Sequence, residues 1–140
     1  NKAQTERLEK YGGREIHYLR SMGALRSNLV LAHGVWLTAE ERELIAAAGS
    51  TVAHCPSANM KLASGFAQVP EMLEAGINVG LGADGAPCNN NLDAFTEMRL
   101  AALIHKPRRG PRAMDAVQVL EMMTINGARA LAREHEIGSL

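Results

Sequence analysis

The sequence predicts an α/β fold built on parallel strands. Short apolar runs with the composition of strands buried on both faces occur three times, at 29–32, 51–53 and 77–81. A segment with helical spacing follows each run, and this alternation is typical of parallel strands joined by right-handed crossovers. Each run also delivers a polar residue at its carboxyl end, where binding groups collect in such folds. These residues are His33, His54 and Asp84.

Helix signals bound these strands. Thr38 and Glu41 have the spacing of a capping box, and Gly49 is placed to end the helix that they open. The apolar spacing predicts a sparse surface helix over 1–20, broken near 12–13, and further helices at 38–48, 69–75, 92–104, 114–123 and 125–133. The polar segments 55–65 and 106–112 are predicted to be loops.

Composition narrows the functional class. The 140 residues include 46% hydrophobic ones, enough for a hydrophobic core, and 15 basic side chains balance 15 acidic ones. We therefore expect neither nucleic acid nor a membrane surface as partner, but a small, neutral or weakly polar ligand. The two cysteines, Cys55 and Cys88, are expected to be reduced thiols in a cytoplasmic protein.

The pattern alone leaves two architectures open. The strands could belong to a doubly wound sheet or to part of a barrel, and the polar strand ends favour the barrel because they would converge on one axial site. Asp84 is placed to bind a divalent metal and to take a proton from water, or it simply caps a turn. His33 could polarise a substrate oxygen or ligate a metal, or it is only packed and hydrogen-bonded. The same two interpretations apply to His54, and a hydrogen-bonded turn is the simpler one for Asn59.

Three motifs in order resemble a known family. They are AHGVWL at 32–37, HCPSANMKL at 54–62 and GADGAPCNNNLD at 82–93, followed by TINGARAL at 124–131. They are similar to motifs of the amidohydrolase superfamily. More narrowly, they resemble its branch of methylthioadenosine/adenosylhomocysteine deaminases, guanine deaminase-like enzymes and triazine hydrolases. The resemblance extends over essentially the whole chain, and it implies strands six to eight of a (β/α)8 TIM barrel.

The resemblance also implies roles for individual residues. Asp84 would be the metal-ligating carboxylate after strand eight and would shuttle a proton from the attacking water. His33, after strand six, would contact the leaving group or the nascent oxyanion. The remaining candidates are expected to bind substrate or to organise the loops around it: Trp36, His54, Asn59 and Cys88. A cysteine at position 88 favours deamination over dechlorination in this comparison.

The family's other metal ligands, His-x-His after strand one and His-x-x-Glu after strand five, do not occur in this sequence. We therefore expect residues 1–140 to be the C-terminal part of a barrel, truncated at both ends. The longer parent would hold zinc or iron, act on a small heterocycle and form a homo-oligomer, whereas this chain alone would bind no metal. Two alternatives remain: a catalytically silent half-barrel that self-associates, and a doubly wound nucleotide-binding domain.

Overall fold

A computed structural model describes residue 8 and residues 12–139, and it contains a parallel sheet with helices packed against it. The strands are β1 (Val30–Ala32), β2 (Thr51–His54) and β3 (Asn78–Leu81). The helices up to β3 are α1 (Glu15–Ser21), α2 (Ala39–Ala48), α3 (Pro56–Lys61) and α4 (Val69–Glu74). Those after β3 are α5 (Ala86–Asn89), α6 (Ala94–Leu103), α7 (Lys106–Arg109), α8 (Ala116–Met123) and α9 (Ile125–Ala130).

The strands lie in the order β1-β2-β3, and both neighbouring pairs are parallel. Leu31 pairs with Val52, and Val52 pairs with Val79, so these side chains share one face of the sheet. Val52 and Val79 are fully buried in a core that includes Ile45 and Met72 from the crossover helices. The predicted α/β class with parallel strands is therefore confirmed.

Helix α2 begins and ends as the sequence predicts. The Glu41 amide donates to the Thr38 hydroxyl at 3.2 Å, and the Glu41 carboxylate accepts from the Thr38 amide at 2.9 Å, which completes the capping box. Gly49 ends the helix in the left-handed conformation with φ 67°. The chain then turns directly into β2.

Three short helices lie outside the predicted helices, and two of them fall in the predicted loops 55–65 and 106–112. They are α3, α5 and α7, and each has a proline in its first turn: Pro56, Pro87 and Pro107. Proline fixes φ near the helical value and lacks an N–H that the first turn would leave unpaired, so it favours the start of a helix. The predictions of loops at 55–65 and 106–112 were wrong at these helices, because a proline early in a polar segment favours a first helical turn.

Half of the predicted helix over 1–20, residues 1–7 and 9–11, lies outside the described residues, and α1 follows the break at Gly12 and Gly13. Among the helices that are described, none is long and apolar enough to cross a membrane.

The face of the sheet opposite Val52 and Val79 is partly open. Helix α9 lies along β3, where the Asn126 side chain donates to the Val79 carbonyl at 3.1 Å and the Asn78 side chain donates to the Asn126 carbonyl at 3.0 Å. Beside this contact lies a depression of about 620 Å³. Its walls are mostly apolar and include Val30, Ala53 and Leu131.

Candidate active site

His33 and Asp84 follow the carboxyl ends of two strands: His33 comes directly after β1, and Asp84 is the third residue after β3. Both have left-handed backbone conformations, with φ 69° at His33 and φ 61° at Asp84. Residues other than glycine pay a steric cost there, and such strain collects at functional sites because the surrounding structure must maintain it. Five other described non-glycine residues also have positive φ, so this conformation is consistent with the selection of His33 and Asp84 but does not single them out.

The two side chains face each other. His33 Nε2 lies 3.7 Å from Asp84 Oδ2, and the side chains are 39% and 30% exposed. The second carboxylate oxygen, Oδ1, accepts from the Gly85 amide at 2.8 Å, which orients the carboxylate. The separation exceeds hydrogen-bond length, so the two groups lie close together without a direct hydrogen bond.

Asn59 holds the opposite side of the His33 ring. Its Oδ1 lies 2.8 Å from His33 Nδ1, and the Asn59 side chain is buried within α3. The backbone N–H of Asn59 donates to the Cys55 carbonyl at 3.0 Å, which fixes Asn59 in the first turns of helix α3. Three predicted residues, His33, Asn59 and Asp84, are thus joined in one chain of contacts.

His54 lies in the interior at the end of β2. Neither of its ring nitrogens contacts a hydrogen-bonding group among the protein atoms described, and its ring centroid is 6.0 Å from that of His105. Burial, followed by the nearby His105 and His33, lowers the pKa of His54 to about 3. His54 is therefore a neutral imidazole at physiological pH, and it is fully buried.

The Cys55 thiol lies between the ends of β2 and β3. A Cβ added to Gly82 would meet Cys55 Sγ at 3.3 Å, and the thiol approaches the backbone amides of Asp84 and His33. Burial, with smaller contributions from the Asp84 and Glu97 carboxylates, raises the pKa of the thiol to about 11. Cys55 thus remains protonated and serves as a small packing group behind the two strained residues.

Glu97 and Asn89 were not selected by the sequence analysis. Glu97 is buried on α6, where its carboxylate accepts from the Ser57 amide at 3.1 Å and from the Asn89 side chain at 2.7 Å. The Asn89 side chain also donates to the Ala83 carbonyl at 2.8 Å, one residue before Asp84. The sequence carries one signal for Glu97. It lies four residues before Ala101 and therefore on the same face of helix α6, and that face otherwise packs against the core.

Trp36 and Cys88 differ in their exposure and in whether they line the depression next to His33. Trp36 is 77% exposed and borders a depression of about 610 Å³ that His33 and Asn59 also line. Cys88 is half-buried on α5, four residues after Asp84, and does not line this depression. Of the predicted substrate contacts, Trp36 is therefore the one most accessible to a ligand.

The donor set matches zinc chemistry in part. Imidazole nitrogen and carboxylate oxygen are both common zinc ligands, and His33 and Asp84 present one of each to the same space. Within residue 8 and residues 12–139, however, no group of three His, Cys, Asp or Glu side chains is arranged to hold an ion. Catalytic zinc sites use about three protein ligands, so further ligands would have to come from elsewhere.

Residues 1–140 match the family described as the amidohydrolase family, and the chain belongs to it. It is 48% identical over 124 residues to a 5-methylthioadenosine/S-adenosylhomocysteine deaminase of Thermococcus onnurineus, with 88% of this chain and 29% of the relative covered. It is 49% identical over 127 residues to a 5'-deoxyadenosine deaminase of Methanosarcina barkeri, and the match covers 90% of this chain and 29% of that relative. The chain thus spans less than a third of these relatives.

Solved structures show the same relationship. An adenosine deaminase from Xanthomonas campestris with bound zinc superposes with a TM-score of 0.90 at 38% identity, covering 96% of this chain and 31% of that one. A mutant atrazine chlorohydrolase from Arthrobacter aurescens, complexed with zinc and atraton, gives a TM-score of 0.84 at 31% identity. The match covers 95% of this chain and 30% of that one. The resemblance inferred from the three motifs is therefore confirmed.

Proposed function

We propose that this chain forms strands six to eight of a zinc-dependent amidohydrolase barrel that hydrolytically deaminates a nitrogen heterocycle. The observation that carries the proposal is the pairing of His33 and Asp84, two strained strand-end residues whose side chains face each other across 3.7 Å. Parallel strands of a barrel direct their carboxyl ends to one site, so residues from the remaining strands would complete it.

The partly open sheet supports this architecture. The apolar depression beside α9 leaves Val30 exposed, and neighbouring barrel strands would bury such a surface. Domain boundaries therefore follow from the same proposal, with residues 1–140 as a C-terminal part of the barrel. Zinc is favoured over iron because two of the structural relatives carry it.

Asp84 and His33 would have different catalytic roles. The metal, when bound by Asp84 and ligands from the rest of the barrel, lowers the pKa of water and so supplies a nucleophile near neutral pH. Asp84 takes the proton of the attacking water and passes it to the leaving nitrogen. His33 lies beside it, where its imidazole would stabilise charge that develops on the heterocycle.

The substrate class follows from the relatives. The sequence relatives named above deaminate adenosine-like compounds, and a structural relative acts on a triazine. Both are flat, nitrogen-rich rings with an exocyclic leaving group. The exposed face of Trp36, beside His33, would stack on such a ring. We place an adenosine-like amine first, since the deaminases are 48% and 49% identical to this chain and the triazine enzyme is 31% identical.

The test is Asp84→Asn in the full-length protein that contains this chain, assayed for ammonia release from 5'-deoxyadenosine and methylthioadenosine. We expect turnover to fall by about 100- to 10,000-fold with an unchanged Tm, because proton transfer would be lost from an exposed side chain. Asp93→Asn is the matched control: it is also an exposed carboxylate near the site, and asparagine can replace its cap of α6. Near-normal turnover in the Asp84 variant would refute the proposal.

The apolar depression also favours a second behaviour for the chain when it is separated from the rest of a barrel. Two copies would then cover each other's open sheet faces. Sedimentation at several concentrations measures this directly. A monomer throughout the micromolar range would count against self-association.

A further inference from the structure

We propose that Lys61 is a positioning residue that fastens the segment carrying Asp84 to helix α3. This segment, residues 83–90, runs from the residue before Asp84 to the residue that caps α5. Helix α3 also carries Asn59, whose side chain contacts the His33 ring. The fastening would therefore hold Asp84 in place relative to His33. The catalytic consequence rests on the proposed function, but every contact of the fastening lies within the described residues.

The side chain of Lys61 reaches from the last turn of α3 to both ends of α5. Its ammonium group donates to the Pro87 carbonyl at 2.7 Å and to the side-chain oxygen of Asn90. An ammonium group can only donate, so the direction of both bonds is fixed. Hydrogen bonds from a charged donor are also about twice as strong as neutral ones. Lys61 thus joins the carboxyl end of α3 to the 83–90 segment.

Glu97 makes a second fastening, at the amino end of α3. Its carboxylate accepts from the Ser57 backbone amide at 3.1 Å and from the Asn89 side chain at 2.7 Å. The same Asn89 nitrogen donates to the Ala83 carbonyl at 2.8 Å. Both partners of this nitrogen are acceptors, so the orientation of the Asn89 amide is fixed as well. The segment is therefore bound to α3 at one end directly through Lys61 and at the other through Glu97.

The 83–90 segment needs such support from outside. None of its residues is buried, so no hydrophobic core holds it. Helix α5 has only four residues, too few for a helix to be stable by itself. Asp84 and Asn90 have positive φ, 61° and 79°, a conformation that is sterically unfavourable for residues other than glycine and that the surroundings must maintain. The polar contacts to α3 and α6 therefore determine where the segment lies.

Releasing Lys61 would loosen Asp84 relative to His33. A displacement of about 1 Å between reacting groups can lower a rate by about 100-fold. Because the fastening through Glu97 remains, we expect a smaller loss, about 10-fold in kcat. The depression bordered by Trp36 is lined by neither Lys61 nor residues 83–90, so KM should stay unchanged.

The experiment compares three variants of the full-length protein that contains this chain. Lys61→Met keeps a long apolar side chain but removes the donors, whereas Lys61→Arg keeps a cation with several donors. Lys106→Met is the matched control. The Lys106 ammonium also donates to two oxygens, the carbonyls of Pro111 and Ala113, each at 2.8 Å, and neither belongs to the 83–90 segment.

The first measurement is backbone hydrogen exchange, followed by mass spectrometry on peptides that cover residues 83–91. In this segment the amides of Cys88 and Asn89 donate to the Gly85 carbonyl, and the amide of Asn90 donates to the Ala86 carbonyl. We expect Lys61→Met to speed their exchange by about 5- to 10-fold, which corresponds to the loss of about one hydrogen bond. Lys61→Arg and Lys106→Met should exchange like the wild type.

The second measurement is turnover of 5'-deoxyadenosine, together with Tm. Lys61→Met should lower kcat by about 10-fold with KM unchanged and Tm close to that of the wild type, because Lys61 is exposed. Lys61→Arg should restore most of kcat. Lys106→Met should leave both kinetic constants unchanged.

Wild-type exchange at 83–91 in Lys61→Met, or equally fast exchange there in Lys106→Met, would overturn the inference. Faster exchange with an unchanged kcat would confine Lys61 to the fold, and a raised KM with an unchanged kcat would assign it to substrate binding; either result refutes the positioning role. The proposed function is tested separately. If Lys61→Met speeds exchange while Asp84→Asn retains full turnover, the fastening stands and the catalytic proposal fails.

Discussion

The imidazole rings of His54 and His105 lie with their centroids 6.0 Å apart in the interior of the fold. Burial lowers the pKa of both, and that of His54 falls to about 3. The two histidines would repel each other if both were protonated, and neither is open to the solvent that would stabilise the charge. Protonation of either ring is therefore disfavoured in the folded protein.

A pH dependence of stability follows from His54. Its pKa in the folded state lies below the ordinary value of 6.5, so the unfolded chain binds more protons between pH 6.5 and about 3. Its contribution to stability is complete above pH 6.5 and decreases as pH falls, by up to about 1.4 kcal/mol per pH unit. Urea unfolding across this range measures the slope.

His54→Gln should flatten that slope, whatever its effect on absolute stability, since glutamine does not titrate. His135→Gln serves as the control because His135 is exposed, and its slope should match the wild type. Equal slopes for wild type and His54→Gln would show that His54 is not a buried neutral imidazole.

The two cysteines should differ sharply in reactivity. The thiolate is the reactive form, and burial raises the Cys55 pKa to about 11. Cys88 is partly accessible on α5. We expect iodoacetamide to label Cys88 in the native protein and Cys55 only after unfolding in urea, as measured by peptide mass spectrometry. Rapid native labelling of Cys55 in a Cys88→Ser variant would contradict its placement behind His33 and Asp84.

The sequence carried the information for the strands and for their polar ends. Apolar runs and turn signals are local, so β1 to β3, the capping box at Thr38 and the end of α2 at Gly49 could all be predicted. The first turns of α3, α5 and α7 have an equally local signal, the proline at the start of each helix. The contacts of Asn59 and Glu97 could not be predicted from such local signals. They join residues 26 and 40 positions apart and depend on how the crossovers pack, which periodicity does not specify.

Glu97 should stabilise the loop that carries Asp84. In Glu97→Gln one oxygen can still accept from the Ser57 amide, but the new NH₂ group would face the NH₂ group of Asn89. We expect a loss of about 1 to 3 kcal/mol in the free energy of unfolding and a lower turnover. Glu121→Gln, on the exposed face of α8, should change neither quantity.

Thermal unfolding and turnover of both variants provide the test. A Glu97→Gln variant with wild-type stability would mean that the buried carboxylate does not hold the 83–89 loop. Loss of stability without loss of turnover would assign Glu97 to the fold alone.

Arg14 and Glu41 should be coupled in stability. Burial opposes the charge of Glu41, but hydrogen bonds from the Arg14 guanidinium and the Thr38 amide outweigh it and hold the carboxyl pKa below its usual value. Arg14→Ala would leave a buried carboxylate without its cation, and we expect it to cost about 1 to 3 kcal/mol, since the Arg14 side chain is itself 37% exposed.

The double variant separates this ion pair from simple loss of packing. Adding Glu41→Gln to Arg14→Ala removes the uncompensated charge, so the double variant should be more stable than the sum of the single changes. Because the Glu41 pKa is lowered in the folded state, its contribution is present above pH 4.5 and decreases as pH falls below that value. Additive losses at neutral pH, or a wild-type stability that stays constant below pH 4.5, would show that Arg14 does not stabilise the Glu41 charge.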